Sequence, residues 1–271
     1  MTAAVLVNGV SPADPMHAIA VEDRGLQYGD GLFESALLNR GTVRFLEQHL
    51  RRLTLGCERL GIAPPDVALL RSEVQRLSGS AERGVLKIVV SRGIGPRSYR
   101  PSSRSKTTRI VALYPAPPEV PTSGLAVRWC ETRLGRNARL AGMKHLNRLE
   151  QVLAQAEWYD DTIAEGLMLD TEGELVSGTA SNVFLVRAGV LVTPDTRYCG
   201  VLGIMRNEVL RTAKDLGIAA SEERLWPHDV ETASEVFITN SVRGIRSVAT
   251  LGPLRWTESP VADRLRQALD L

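Results

Sequence analysis

The sequence predicts an α+β protein of two domains, and three features of the chain indicate this. At 271 residues, the chain is long enough to form two cores of ordinary size. Short β-branched runs are mixed with segments whose apolar residues recur at helical spacing. Four prolines fall within residues 115–121, a segment that can continue neither a helix nor a central strand. We therefore expect domains at 1–114 and 123–271, joined by a linker at 115–122.

The first half of the chain is predicted to combine short strands with two helices. Leu50, Leu53 and Cys57 recur at helical spacing, and Gly61 supplies a stop. The strands are β-branched runs bounded by turn residues. We expect strands at 5–7 and 18–21, a hairpin of 34–38 with 42–45, helices at 46–60 and 66–77, and strands at 85–90 and 109–113.

The second half is predicted to contain strands interspersed with three helices. Leu146, Leu149 and Leu153 mark one face of a helix that follows Lys144, and Gly217 ends a later helix. We expect strands at 125–129, 166–169, 182–186, 190–192 and 236–239, and helices at 146–159, at 203–216 and at the C-terminus. The sequence has no internal repeat or low-complexity tract.

Composition argues against several classes of function. A net charge of +2 with dispersed arginines argues against nucleic acid as a partner. No apolar run approaches the ~20 residues of a membrane span, and the N-terminus lacks the pattern of a signal peptide. The three cysteines, Cys57, Cys130 and Cys199, are far apart, which favours reduced thiols in a cytoplasm. The four histidines are scattered, so we expect no metal site.

Lys144 is the most informative residue, because the chain has only four lysines among thirty-three basic residues. Arginine stays protonated, whereas a desolvated lysine can lose its proton and form a Schiff base with a carbonyl group. Lys87 is typical of the polar residue of a strand, and Lys214 of a charge near a helix C-terminus. Composition alone leaves an ordinary alternative open, in which Lys144 is a solvated surface charge.

Two segments have the composition of anion-binding sites. The turn at 200–206 opens a helix, where free backbone N–H groups and the helix dipole favour a negative charge. Residues 239–241 are small and polar and follow an apolar strand, so they can donate several hydrogen bonds to one anion. The first pattern alone is a weak signal, because it lacks the spacing of known nucleotide-binding loops, and the second alone is more typical of a plain polar turn.

The loop at 92–100 is a candidate carboxylate-binding segment. It carries three arginines and Tyr99 on a glycine- and proline-containing loop that follows a strand. Guanidinium groups bind carboxylates in a bidentate fork, although a solvated basic loop is an equal alternative. The segment 23–34 contains three glycines and indicates only that the backbone turns tightly there. A Schiff-base lysine, anion-binding turns and this loop together fit pyridoxal phosphate, which the pattern permits without proving.

These residues resemble the fold-type IV pyridoxal-phosphate enzymes, which include the branched-chain and D-amino-acid aminotransferases. The resemblance rests on residues 23–34, 49–53, 144–147, 181–184 and 203–204. Within that group, residues 133–153 and the Arg-Gly-x-Gly-x-Arg-x-Tyr loop at 92–99 resemble the aminodeoxychorismate lyases. The resemblance implies a D-amino-acid-aminotransferase-like fold, in which a smaller N-terminal α/β domain precedes a larger C-terminal domain with a pseudo-barrel. It also implies a homodimer.

The resemblance further implies a role for each matching residue. Lys144 would hold pyridoxal phosphate as a Schiff base and act as the catalytic base. The phosphate would be bound by Arg52, by backbone amides of Gly203, Ile204 and Met205, and by Asn240 and Ser241. The small-molecule substrate would contact Arg97, with Tyr99, Arg92 and Phe33 as further candidates. The implied reaction converts 4-amino-4-deoxychorismate to 4-aminobenzoate and pyruvate in folate biosynthesis, after an aminodeoxychorismate synthase.

One position departs from the family pattern. The family usually places Glu at the position of Ser177, where the carboxylate pairs with the pyridine nitrogen of the cofactor. A serine hydroxyl can only form a hydrogen bond, so we expect a weaker electron sink. Glu174 is near in sequence but would need a three-residue slip, which reverses the face of a strand. The departure disfavours a fold-type IV aminotransferase more than a lyase, and a non-catalytic cofactor-binding protein stays as a further alternative.

Overall fold

The computed structural model describes residues 4–79, 81–102 and 105–271, which group into two units. The first unit comprises Met1–Pro118 with Met143–Asn147, and the second comprises Glu119–Gly142 with Arg148–Leu271. The segment that contains Lys144 therefore belongs to the first unit, although both flanking stretches belong to the second. The predicted domains at 1–114 and 123–271 assigned this segment to the C-terminal domain, which differs from the observed grouping.

The first unit is built on one antiparallel sheet with three helices. Its strands are β1 (Ala4–Val7), β2 (Gly31–Asn39), β3 (Thr42–Val43), β4 (Arg83–Ser91) and β5 (Thr108–Pro115). Its helices are α1 (Arg24–Tyr28), α2 (Leu46–Leu60) and α3 (Val67–Ser78). The strand order is β1-β5-β4-β2-β3, so β2 and β4 lie side by side and pair along their whole length, from Gly31 with Ser91 to Asn39 with Arg83.

Helix α2 forms where the sequence periodicity predicts it and packs on β2. Leu50, Leu53 and Cys57 are 1%, 1% and 0% exposed, and burial of each leucine contributes about 2 kcal/mol. A Cβ at Gly56 would lie 2.7 Å from a methyl group of Leu32, so any larger residue would require this leucine side chain to shift. This packing fixes the start of β2 beneath the helix.

The second unit is built on a larger mixed sheet. Its strands are β6 (Leu125–Trp129), β7 (Ile163–Leu169), β8 (Leu175–Gly178), β9 (Asn182–Arg187), β10 (Val190–Pro194), β11 (Ala220–Glu223), β12 (Glu235–Asn240), β13 (Gly244–Leu251) and β14 (Leu254–Arg255). Its helices are α4 (Leu149–Gln155), α5 (Ile204–Asp215), α6 (Pro227–Glu231) and α7 (Pro260–Ala268). The strand order is β11-β10-β9-β12-β13-β6-β7-β8, with β14 added on β13.

This sheet curls until its two edges meet. The Leu175 amide of β8 donates a 2.7 Å hydrogen bond to the carbonyl of Leu225, which follows β11 at the opposite edge. The enclosed face carries apolar side chains such as Leu167, Val183 and Ile238, each at most 1% exposed. The α+β class and the pseudo-barrel predicted from the resemblance are therefore confirmed.

Three local predictions differ from the structure. No strand forms at 18–21, because the chain turns there: the Asp23 amide donates a 3.0 Å hydrogen bond to the Ala20 carbonyl, and Asp23 then caps α1, which begins at Arg24. The helix predicted at 146–159 is shorter, since residues 144–147 pair with a strand before α4 begins. Strands β8, β11 and β13 were not predicted, because their polar residues obscure the alternation. No helix among the described residues is long and apolar enough to cross a bilayer.

Candidate active site

Lys144 lies on a short extended segment that is held against the start of β2. The Phe33 amide donates a 3.0 Å hydrogen bond to the Lys144 carbonyl, and the Leu146 amide donates a 2.9 Å bond to the Gly31 carbonyl. Leu32 and His145 face each other across this antiparallel bridge. Main-chain bonds on both sides of Lys144 therefore fix the direction of its side chain without using the amine.

Glycines of segment 23–34 make this docking possible. A Cβ at Gly29 would lie 2.4 Å from Oδ1 of Asn147, and one at Gly31 would lie 2.4 Å from the carbonyl oxygen of Val90. Gly29 also has a φ of +63°, which side chains other than glycine rarely adopt. The Asn147 side-chain amide donates a 3.1 Å hydrogen bond to the Gly29 carbonyl. The tight turn predicted at 23–34 is thus the surface that receives the lysine segment.

Two lysine amines lie against the ring of Phe33. Nζ of Lys144 is 4.3 Å from the ring centroid, and Nζ of Lys87 is 5.4 Å from it. The electron-rich face of an aromatic ring attracts ammonium groups. Sequence reasoning treated Lys87 as an ordinary strand residue. The structure places its amine against the same ring as that of Lys144, because Lys87 lies two residues from Val89, which pairs with Phe33; the sequence alone does not show this pairing.

Arg52, a predicted phosphate ligand, is oriented by a buried carboxylate. Its Nε and Nη2 donate bonds of 2.8 Å and 2.5 Å to the two oxygens of Glu34, which is 2% exposed. Nδ1 of His49 lies 2.6 Å from the same carboxylate. Burial raises the pKa of Glu34, but Arg52 and His49 lower it by more. The pKa of this carboxyl therefore lies below its ordinary value.

Arg92, a predicted substrate contact, makes several bonds within the first unit. Its guanidinium donates to both oxygens of Asp30, at 2.8 Å and 3.1 Å, and to the carbonyls of Leu60 and Gly61. Burial raises the pKa of Asp30, but bonds from Arg92 and Arg24 lower it overall. Because these bonds use most of its donors, Arg92 anchors the loop; its predicted substrate contact and that of Arg97 stay predictions.

Arg24 was missed in the sequence although it shapes the same loop. It is 3% exposed, bonds Asp30 at 2.8 Å, and donates to the carbonyls of Ser98 and Tyr99 at 2.6 Å and 3.2 Å. The rings of Tyr28 and Tyr99 lie 5.6 Å apart. The loop backbone is therefore fixed, while the Arg97 side chain and the 88% exposed Tyr99 project outward.

The start of α5 has the features of a phosphate site. No side chain caps this helix at Gly203, while the side chains of Ile204 and Met205 are 4% and 1% exposed. A Cβ at Gly203 would lie 1.9 Å from Oδ1 of Asn182, so only glycine fits. An uncapped helix start with its amides available suits a phosphate group.

Asn240 and Ser241 lie in the turn between β12 and β13. Oδ1 of Asn240 accepts hydrogen bonds from the Val242 and Arg243 amides at 3.1 Å and 2.8 Å, and its Nδ2 donates to the Ala180 carbonyl. Asn240 therefore shapes the turn with its own side chain. Ser241 is half-buried in this turn, and its predicted role as a phosphate ligand stays a prediction.

Ser177 is 9% exposed on β8, and its hydroxyl donates a 2.8 Å hydrogen bond to the Gly178 carbonyl. Because the hydroxyl proton of Ser177 is donated to this carbonyl, the hydroxyl oxygen can act only as a hydrogen-bond acceptor for another group. Glu174, the sequence alternative, accepts bonds from Arg136 and Arg224, at 2.7 Å and 2.8 Å, so its charge is engaged elsewhere. Nothing in the contacts of Glu174 favours it over Ser177.

The residues after Ser177 are organised by Glu165, which sequence reasoning did not single out. This carboxylate is 3% exposed and accepts bonds from the amides of Gly166, Thr179 and Ala180 and from the hydroxyls of Thr179 and Ser181. It therefore fixes the turn between β8 and β9. Within the described residues no group of three or more potential metal ligands occurs.

Comparisons with known proteins bear on this arrangement. The family model for amino-transferase class IV matches residues 31–251. The chain belongs to the class IV aminotransferase family. It is 31% identical over 246 residues to a Vibrio harveyi protein named aminodeoxychorismate lyase, with 90% of this chain and 89% of that protein aligned. It is 33% identical over 249 residues to a Methanocaldococcus jannaschii protein provisionally named branched-chain-amino-acid aminotransferase, with 89% and 85% aligned.

A solved structure extends the likeness to the whole fold. The crystal structure of 4-amino-4-deoxychorismate lyase from Pseudomonas aeruginosa superposes with a TM-score of 0.92 and is 43% identical, covering 98% of this chain and 100% of that one. The fold-type IV architecture of this class IV chain is therefore established. The predicted pyridoxal phosphate cofactor agrees with the family, and the lysine segment, the Arg52 contacts and the open start of α5 fit its aldehyde and phosphate.

Proposed function

We propose that this chain is an aminodeoxychorismate lyase, which uses pyridoxal phosphate to convert 4-amino-4-deoxychorismate to 4-aminobenzoate and pyruvate on the route to folate. The observation that carries the proposal is the 43% identity, along nearly the whole chain, to the Pseudomonas aeruginosa lyase. The position of Lys144 on the β2 edge supports it, because main-chain hydrogen bonds hold the segment that carries this lysine in place.

The bound cofactor would supply an aldehyde for the substrate amine and a ring that accepts electrons. Lys144, displaced by the substrate amine, would act as the base that removes the ring proton at the amine-bearing carbon. Loss of enolpyruvate then makes the ring aromatic, and protonation of enolpyruvate gives pyruvate. Arg97 would bind one substrate carboxylate through its fork of donors.

Arg52, fixed by Glu34, would bind the cofactor phosphate together with the amides that open α5. Ser177 would face the pyridine nitrogen, but its neutral oxygen cannot hold a proton there as a carboxylate would. This weakens carbanion stabilisation. The lyase reaction depends less on carbanion stabilisation than an aminotransferase reaction does, because formation of an aromatic ring drives the lyase reaction.

A coupled assay tests the proposal. Purified protein loaded with pyridoxal phosphate would receive chorismate, ammonia and an aminodeoxychorismate synthase, and 4-aminobenzoate would be quantified. We expect product with wild type and with the control Lys214→Ala, which alters an exposed lysine on α5. Lys144→Ala should lose both product and the absorbance of lysine-bound cofactor. A normal cofactor spectrum in Lys144→Ala would contradict the assignment.

The rival activity is aminotransfer, favoured by the name of the Methanocaldococcus jannaschii relative. It would appear as amino-group exchange between D-alanine or branched-chain amino acids and 2-oxoglutarate or pyruvate. Exchange without 4-aminobenzoate formation would replace the lyase by an aminotransferase. Cofactor binding without either activity would indicate a non-catalytic pyridoxal-phosphate protein.

A further inference from the structure

Arg246 is a buried arginine that the proposed mechanism does not use. It lies in β13, is 6% exposed, and pairs directly with Ile238 of β12. Directly paired residues project to the same face of a sheet, as do residues two apart in one strand. Ile238 and Val248 both belong to the enclosed apolar core. Arg246 therefore projects toward the interior of the pseudo-barrel rather than toward the outer helices.

The guanidinium of Arg246 has no direct acceptor. Across residues 4–79, 81–102 and 105–271, it donates no hydrogen bond and forms no ion pair. Arg24 and Arg92, also largely buried, each donate to a carboxylate and to two backbone carbonyls. Among the described residues, none of its guanidinium nitrogens is a fully enclosed polar atom without a partner, so these nitrogens reach solvent and are open to an acceptor that arrives with a ligand.

Glu165 is near Arg246 but does not serve as that acceptor. It acts on Arg246 as a nearby opposite charge, yet no oxygen of Glu165 lies within ion-pair distance of the guanidinium. Both carboxylate oxygens are already occupied by the hydroxyls of Thr179 and Ser181 and by three backbone amides. The carboxylate therefore offsets part of the charge of Arg246 without satisfying its donors.

Arg243 makes the surroundings of Arg246 more cationic. Burial lowers the pKa of Arg246, and Arg243 lowers it further, against the opposite effect of Glu165. Two like charges in one turn and strand repel each other unless an anion lies between or beside them. A small oxyanion would relieve both this repulsion and the unmet donors.

We propose that Arg246 binds a carboxylate of the substrate. The identity of that substrate rests on the proposed function, whereas the need for an oxyanion rests on Arg246 alone. Aminodeoxychorismate has two carboxylates, and Arg92 is occupied by Asp30 and backbone carbonyls, which leaves Arg97 with only one of them. The cofactor phosphate is already provided for at the open start of α5. A guanidinium fork matches a carboxylate in bidentate geometry.

Equilibrium binding to the holoenzyme tests this without turnover. The probes are 4-aminobenzoate against 4-aminobenzamide and pyruvate against pyruvamide, each pair differing in one carboxylate. In wild type we expect one pair to show about a tenfold or greater preference for the acid. Arg246→Met should abolish that preference while leaving the affinity for the amide unchanged. Arg255→Met, an exposed arginine whose recorded bonds are to nearby carbonyls, is the matched control and should retain it.

Three further outcomes complete the test. Unchanged preference in Arg246→Met for both pairs overturns the proposal. Loss of pyridoxal phosphate, with pyridoxal bound as before, would assign Arg246 to the cofactor phosphate and also overturn it. Arg246→Lys keeps the charge but loses the fork, so it should fold and bind the acid more weakly than wild type; full retention would contradict a bidentate contact. Failure of the lyase assay would leave these binding measurements readable, so the two proposals fail separately.

Discussion

Glu34 in the first unit and Glu165 in the second are both nearly inaccessible to solvent, at 2% and 3% exposure, but they are satisfied in opposite ways. Glu34 is held by Arg52 and by His49. Glu165 is held by hydroxyls and backbone amides, which carry no net charge. The first carboxylate therefore orients a cation, whereas the second organises a turn of the chain.

This difference has a consequence for the charge of each region. The charge of Glu34 pairs with that of Arg52, which holds this arginine in a fixed orientation; the phosphate that we propose as its ligand would meet it in that orientation. The charge of Glu165 is not neutralised by its donors and extends to Arg246, which it stabilises only at a distance. Under our proposals, a ligand anion would meet a pre-oriented arginine, Arg52, in the first unit and an arginine without a direct acceptor, Arg246, in the second.

Glu34→Gln should have the largest effect on stability. The substitution leaves Arg52 largely buried without its anion, which costs about 3 kcal/mol of unfolding free energy. Urea unfolding of the cofactor-free protein would measure it. Glu47→Gln is the matched control. Glu47 lies on α2, the helix that carries Arg52, and it also pairs with an arginine through two bonds, but it is exposed, so this substitution should change the unfolding free energy little. Equal effects of both variants would show that burial of Glu34 is unimportant.

Glu165→Gln should have a smaller but clear effect. An amide NH₂ would replace one acceptor oxygen and confront the donors of Thr179 or Ser181, at a cost of about 2 kcal/mol. Denaturant unfolding measures this loss of unfolding free energy, provided that the slope of the free energy against denaturant concentration is the same in both proteins. Glu172→Gln, at an exposed position in the preceding turn, serves as control. A stability loss no greater than in the control would mean that Glu165 does not organise the turn.

Thr179→Val should have the next effect. It removes the hydroxyl that donates to Glu165 and accepts from Gln155 while keeping the side-chain volume, so we expect a loss of about 1 kcal/mol. Combined with Glu165→Gln, the loss should be less than the sum, because the two changes delete one shared bond. Additive losses in this double-mutant cycle would indicate that the bond contributes nothing.

The smallest expected effect is on the pH dependence of stability. The pKa of Glu34 is lower in the folded protein than its ordinary value of 4.5, so the unfolded chain takes up the proton first on acidification. Its contribution is complete above that ordinary value and is lost as pH falls through the folded pKa. The stability difference between wild type and Glu34→Gln should therefore shrink below about pH 4.5. A difference that stays constant from pH 7 to acid would contradict the charged pairing.

The sequence predicts most clearly those elements whose pattern is local. Helix α2 follows from leucines at helical spacing, and the strand at 85–90 follows from its β-branched run. Strand β13 was missed because Arg246 and Ser247 lie inside it, and nothing local reveals that an arginine faces a core. Helix α1 was missed because its cap at Asp23 lies in a glycine-rich stretch that is equally typical of a loop.

The candidate site divides in the same way. Lys144 and the start of α5 could be found from residue type and motif spacing. The function of Arg92 as a loop anchor could not, because its partners at Asp30 and residues 60–61 lie far from it in the chain. Lys87, Glu165 and Arg246 gain their significance from strand pairing and burial, which a single sequence does not display.

The docking of residues 144–147 on β2 has a consequence for how the protein can be divided. The chain passes between the two units three times, after residues 118, 142 and 147. If the gene were divided after residue 118, the first half would leave the β2 edge at Phe33 unpaired. The second half would carry Lys144 without the strand that holds its segment. The lysine that we propose as the Schiff-base residue thus lies in a short segment that groups with the first unit but is flanked on both sides by the second, and we expect neither half alone to keep it in place.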